Sequence, residues 1–244
     1  MKHFLLICAL VAVVGCGESK EEKAAKAKAE AKAAAEARAA AEAKAAARWE
    51  VIERAIRSPS SLYKPTGELT QADLEKVTRL SLIDLQLTNV KGLEKLTQLT
   101  DLDLRINQLT DVKGLENLTQ LKHLNLGNNN LTDVKVLEKL TKLTYLALDG
   151  NQLTSVTGLE NLTQLRWLSL GRNQLTEVPK ELEKLTQLKT LVLWSNQLTS
   201  VKGLENLTQL TKLLLTNNPD LTKAQIAELQ KALPKCKIIS NPKK

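Results

Sequence analysis

The sequence predicts an α/β solenoid: a curved coil of short parallel strands joined by tight turns, preceded by a long Ala-rich helix. Three observations predict it. A unit of 22 residues, once 23, recurs from Val77 onward. Each unit opens on an alternation of Leu with variable residues, as in "LTDLDLRINQL" from Leu99. Ahead of the units, residues 20–48 read "KEEKAAKAKAEAKAAAEARAAAEAKAAAR", with no Gly or Pro.

The elements follow in chain order. Lys2 opens the chain, and Phe4 to Val14 is an apolar run too short for an ordinary membrane-crossing helix. Small residues close it, which is the pattern of a secretory signal over residues 1–15. Val13-Val14-Gly15-Cys16 resembles the lipobox of bacterial lipoproteins. That resemblance implies cleavage before Cys16, acylation of Cys16 and a lipid anchor at residues 16–19. An uncleaved anchor and a plain cleaved signal are the alternatives. Acyl chains contribute about 0.8 kcal/mol per buried methylene, so two or more give firm membrane attachment. In some double-membraned bacteria an Asp after the Cys retains such proteins at the inner membrane. Here Gly17 follows, and the resemblance implies the outer membrane or the cell surface.

Cysteine usage agrees with export of a domain without disulfides. Cys8 lies in the leader and Cys16 is the expected lipid acceptor, which leaves Cys236 alone. In "LPKCKII" it reads as a small buried hydrophobe. The net charge is +8, spread along the chain. Attraction to anionic envelope surfaces is consistent with it. Nucleic acid is not expected as a partner, because no basic run interleaved with aromatics occurs.

Residues 20–50 read as a helical spacer. Ala, Lys, Glu and Arg are strong helix formers, and residues 20–48 would span about 43 Å if fully helical. Glu30, Glu36 and Glu42 recur every six residues, which turns the helix by about 240° each time and leaves no wide apolar stripe. The segment therefore reads as a semi-rigid, solvated spacer rather than a heptad coiled coil. A partly disordered tether is the other reading. Both hold a domain away from a membrane.

The repeats occupy residues 77–222. Their first apolar positions are Val77, Leu99, Leu121, Leu143, Leu165, Leu188 and Leu210. Each unit follows L-x-x-L-x-L-x-x-N-x-L, and "GLENLTQL" occurs unchanged at Gly114, Gly158 and Gly203. This resembles the leucine-rich repeat family, in its short-repeat branch with the internalins and the phosphatase-regulator type. The residues support the resemblance. In x-L-x-L-x the Leu side chains share one face, which a single unit cannot bury and a stack can. Asn107, Asn129, Asn151, Asn173, Asn196 and Asn218 form a column where the chain leaves each strand, suited to backbone groups that no ladder reaches. The half "LTDVKGLENL" is too short for a long helix, so 3₁₀ turns are expected on the convex side. Pro179 marks the 23-residue step, and Leu85 replaces Asn in the first unit.

Both ends carry the same start signal for a helix. Thr70 with Asp73, and Thr222 with Gln225, have capping-box spacing; Leu69 with Leu74, and Leu221 with Ile226, have staple spacing. Residues 51–76 and 223–244 therefore read as the N-terminal cap and as the C-terminal cap with its tail.

Function is expected on the concave face. Three columns of variable residues face that side. The first holds Arg79, Asp101, His123, Tyr145, Trp167, Thr190 and Lys212; the second includes Asp103 and Asn125; the third includes Arg105, Asp149 and Trp194. Aromatic residues are only 2% of the chain, yet Tyr145, Trp167 and Trp194 fall here in successive units. The framework repeats while these columns vary. Exposed aromatics beside Asp and Arg are the material of binding hot spots; rings that merely cover the sheet are the alternative. Asp101 and Asp103 suit a cation or a basic partner, or local pairing with Arg79, Arg105 or His123.

Chemistry is not expected. The sequence shows no Cys/His metal cluster, phosphate-cradling loop or nucleophile elbow, so neither enzyme activity nor a cofactor or metal is predicted. The expected function is a lipid-anchored, monomeric binding module. Its partner-binding residues are Asp101, Asp103, Arg105, His123, Asn125, Tyr145, Asp149, Trp167 and Trp194, and its partner is a protein of unknown identity. A structural envelope spacer and a receptor for glycan or peptidoglycan fragments are the rivals.

Overall fold

The computed structural model describes residues 20–58, 61 and 66–241. The segment read as a secretory signal (residues 1–15), Cys16 and residues 17–19 lie outside the described residues. The chain divides into two compact units, Met1–Ala46 and Ala47–Lys244. Helix α1 (Lys20–Ile56) begins in the first of these. There, residues 23 and 25–39 are all exposed, as expected for a helix without an apolar stripe. Its Lys32–Glu36 pair at 3.8 Å is solvent-exposed on both sides and adds little stability. Among the described residues no helix is long and apolar enough to cross a membrane.

The second unit is a solenoid of eight parallel strands in strict sequence order. They are β1 (Arg79–Ser81), β2 (Asp101–Asp103), β3 (His123–Asn125), β4 (Tyr145–Ala147), β5 (Trp167–Ser169), β6 (Thr190–Val192), β7 (Lys212–Leu214) and β8 (Lys237–Ile239). The register places equivalent residues of successive units side by side, as in Asp101↔His123 and Tyr145↔Trp167. The Leu columns point away from the variable ones and form one continuous core, in which Leu99, Leu121, Leu143, Leu165 and Leu188 have no exposed surface.

Between strands the chain returns through 3₁₀ turns, as expected. Four of them start at Gly92, Gly114, Gly158 and Gly203, all with positive φ. In each, the Gly N–H donates to the carboxylate two residues on, for example Gly114 to Glu116 at 2.6 Å. This accounts for the recurring Gly-Leu-Glu: the Gly takes the left-handed corner and the Glu satisfies its N–H. Where that Gly is absent, the 3₁₀ segment lengthens to Lys135–Lys139 and Lys180–Lys184.

The Asn column stitches neighbouring units together. Asn151 Nδ2 donates to the carbonyls of Leu126 and Leu148, both at 3.0 Å, and its Oδ1 accepts from Leu131 N–H at 3.0 Å. The same arrangement holds at Asn107, Asn129, Asn173, Asn196 and Asn218. All six are buried, so each amide pairs backbone groups that would otherwise be stranded away from water.

The ends are covered. At the N-terminal end Ile52 and Ile56 of α1 are buried in the core. Trp49, two residues ahead of the segment read as the cap, also packs there, with Lys95 Nζ 5.4 Å from its ring centre. Helix α2 (Gln71–Leu74) carries the Thr70–Asp73 capping box, and α3 (Lys223–Ala232) carries the Thr222–Gln225 one. After α3 the chain adds β8 to the sheet, with Leu215 N–H donating to Ile239 at 2.7 Å. That strand is a finding of the structure. "CKII" carries only half of the repeat pattern, so the periodicity stops before it.

Candidate functional site

The concave face is built from the two outward positions of each strand and one position just beyond it. Adjacent strands lie about 4.8 Å apart, so a residue in one unit touches its equivalent in the next. Tyr145 and Trp167 are such equivalents. Their rings stack with centroids 4.1 Å apart and planes 6° from parallel. His123 meets the other side of Tyr145 edge-on at 6.2 Å. Both aromatic side chains are half-buried. A row of rings thus runs across β3, β4 and β5. A stack of this kind contributes about 0.5–1.5 kcal/mol beyond the area it buries.

The charged end of the row is internally paired. His123 Nδ1 lies 2.7 Å from Asp101 Oδ1, the Thr100 hydroxyl donates to Asp101 at 2.6 Å, and Arg79 stands 3.8 Å away. Partial burial pushes the Asp101 pKa up; the hydrogen bonds from Thr100 and His123, with the charges of His123 and Arg79, outweigh it and hold the carboxyl below its usual value. Asp103 pairs with Arg105 at 3.3 Å and also accepts from the Arg105 N–H at 3.1 Å. Asn125 accepts from the Gly127 N–H at 3.1 Å. Burial, Asp149 and Asp103 together push the Tyr145 hydroxyl pKa up against the pull of Arg105. Local pairing is therefore the arrangement at Asp101 and Asp103. Among the described residues no group of three His, Cys, Asp or Glu side chains is placed to hold a metal ion. Arg79, Asp101, Asp103, His123, Asn125 and Tyr145 line an open depression of about 510 Å³.

Trp194 stands apart from the row. It lies over Gly171, where an added Cβ would come within 2.3 Å of the indole Nε1. Arg172 packs above its ring at 5.7 Å. Trp194 therefore covers the sheet at a place left open by a glycine, while Tyr145 and Trp167 stand against each other. The sequence puts all three on one face, and the structure separates them by posture.

Two further features escape sequence reasoning. β8 extends the outward positions with Lys237 and Ile239, paired to Lys212 and Leu214. Just after β2, Ile106 is 47% exposed and has φ +58. Equivalent corners are occupied by Asn128, Gly150, Arg172, Ser195 and Asn217, none of them β-branched, and the Asn and Gly among them tolerate the left-handed region far better than Ile does.

A family model described as Leucine Rich repeats (2 copies) matches residues 119–161 and 163–206. The matched residues are leucine-rich repeats, and the fold around them is a leucine-rich repeat solenoid. This fold is similar to the crystal structure of internalin C2 from Listeria monocytogenes, with a TM-score of 0.60 and 28% identity over 79% of this chain and 92% of that one. A leucine-rich repeat protein of Leptospira interrogans is also similar, with a TM-score of 0.55 and 31% identity over 68% of this chain. This chain covers 49% of that protein's length. No curated protein matches the sequence.

Proposed function

We propose that the repeat domain binds a protein through its concave face, with the Tyr145–Trp167 stack at the centre of the contact. The observation that carries this reading is the stack itself: two large, half-buried rings on adjacent strands of a face whose framework is otherwise constant. Rigid aromatics in register lose little entropy on contact and bury much area, as interface anchors do. Asp101, Asp103, Arg105, His123, Asn125 and Asp149 form the polar surround, and Trp194 borders it.

The proposal extends to placement. The leader ends in Val13-Val14-Gly15-Cys16, which supports lipidation of Cys16 and attachment to the cell envelope, at the outer membrane or cell surface. In chain order the exposed Ala/Lys/Glu stretch of α1 then serves as a stand-off between the anchor and the repeats.

Capture from solubilised envelope and secreted proteins tests the contact. A protein retained by the immobilised chain and lost when Tyr145 and Trp167 are both changed to Ser supports it, once circular dichroism shows that the variant folds. Equal retention by both proteins overturns it. Labelling of the wild-type chain with radioactive palmitate, absent from Cys16→Ser, tests the anchor independently.

A further inference from the structure

The concave face has two halves of unlike charge. On β1 to β4 the carboxylates Asp101 and Asp103 are answered by Arg79, His123 and Arg105. On β5 to β8 the pattern is different. The strands and their immediate flanks, residues 165–172, 188–195, 210–217 and 236–241, contain no Asp or Glu. They carry Lys212 and Lys237 at outward strand positions and Arg166, Arg172 and Lys189 in the flanks, all exposed. Among the described residues none of these five bases forms an ion pair.

The surface between the bases is apolar. Val192, Leu214 and Ile239 share the second outward position across β6, β7 and β8, and Leu214 and Ile239 are only half-buried. Trp167 closes one end. One face of its ring is taken by Tyr145, and the other looks along the row toward Thr190, its register partner, and then Lys212.

We propose that this half of the face takes an acidic protein segment with an apolar side chain set between its carboxylates. The proposal rests on the concave-face reading above and adds the chemistry of the partner. The row from Trp167 to Lys237 crosses three strand spacings, about 14 Å, which four or five residues of extended chain would span. Carboxylates would meet Lys212 and Lys237, and the apolar side chain would lie on Leu214 and Ile239. A neutral partner would strip water from unpaired cations without compensation. An acidic one replaces that water with charge-assisted hydrogen bonds.

The test uses the full chain and two short fluorescent peptides. Each has a Phe-Leu centre, flanked by Glu pairs in one and by Lys pairs in the other, and polarisation reads binding. The acidic peptide should bind, weaken as salt is raised, and lose affinity about tenfold or more in Lys212→Glu/Lys237→Glu. The arginine replacements at the same two positions should retain it, and the basic peptide should not bind. No binding of the acidic peptide, or equal binding of the basic one, overturns the proposal. Two variants separate the readings. If Tyr145→Ser/Trp167→Ser abolishes binding and the Glu variant does not, the concave contact stands and the acidic partner falls. If neither variant alters binding, both fall. Anionic lipid vesicles form the last arm: capture by vesicles through Lys212 and Lys237, with the peptide left free, would make this a lipid-facing patch and overturn the proposal.

Discussion

The Asn column and the aromatic row both contribute one residue per unit, and they obey opposite rules. Asn151 is 7% exposed, and each of its amide hydrogen bonds ends on backbone. Its neighbours above and below do the same work, so the column repeats unchanged from Asn107 to Asn218 and breaks only at Leu85 in the first unit. The row at Asp101, His123, Tyr145, Trp167 and Thr190 occupies an equally regular set of positions, yet no two adjacent members are alike. A buried position must satisfy a fixed set of backbone groups. An outward position is constrained only by its two lateral neighbours. Constancy in this molecule marks the scaffold, and variation marks the surface available for recognition.

Asn151→Ala gives the largest effect expected from this contrast. It strands the Leu131 N–H, at about 1–3 kcal/mol, and removes one of the two Asn bonds to each of the Leu126 and Leu148 carbonyls, which keep those from Asn129 and Asn173, at about 0.5–1.5 kcal/mol each, so urea unfolding should show a loss of at least about 2 kcal/mol. A loss below about 1 kcal/mol would remove the column from the scaffold. Gly171→Ala comes next. The new methyl collides with Trp194, and the cost should be about 1–3 kcal/mol, with a shift in tryptophan emission that reports displacement of the ring. Unchanged emission would mean that Trp194 does not lie over Gly171.

Ile106→Asn tests the corner from the other direction. Left-handed backbone costs an ordinary residue about 1–2 kcal/mol and Asn less. The exposed side chain leaves little burial to lose, so thermal unfolding should rise by the equivalent of about 1 kcal/mol. A fall would show that Ile106 is held by packing.

The smallest effect is at Asp101. Its folded pKa is depressed, so its contribution is present above the unfolded value of about 3.9 and is lost as pH falls through the folded value. The stability difference between wild type and Asp101→Asn should therefore be constant near neutral pH and vanish in acid. Since the carboxyl is a third exposed, the difference should stay below about 1 kcal/mol. A difference that grows in acid would reverse the sign of the argument.

Much of the scaffold was legible because a solenoid turns sequence spacing into lateral contact. A step of 22 residues brings Asp101 beside His123, and Tyr145 beside Trp167. The inward Leu positions and the two capping boxes follow from local periodicity alone. The candidate surface was legible as a set of positions, but not as an arrangement. Nothing in the order of residues says that Tyr145 and Trp167 stack while Trp194 lies flat, since ring posture depends on the volume left by Gly171 across the sheet.

By itself the sequence determined the repeat length, the strand register, the Asn stitching and the 3₁₀ corners. All of these arise from contacts between equivalent positions one unit apart. The tertiary structure alone decided that β8 joins the sheet, that the acids of β2 are neutralised by their neighbours, and that the bases of β5 to β8 are not. Those outcomes depend on which side chains meet across strands and at what angle, and periodicity carries no information about either.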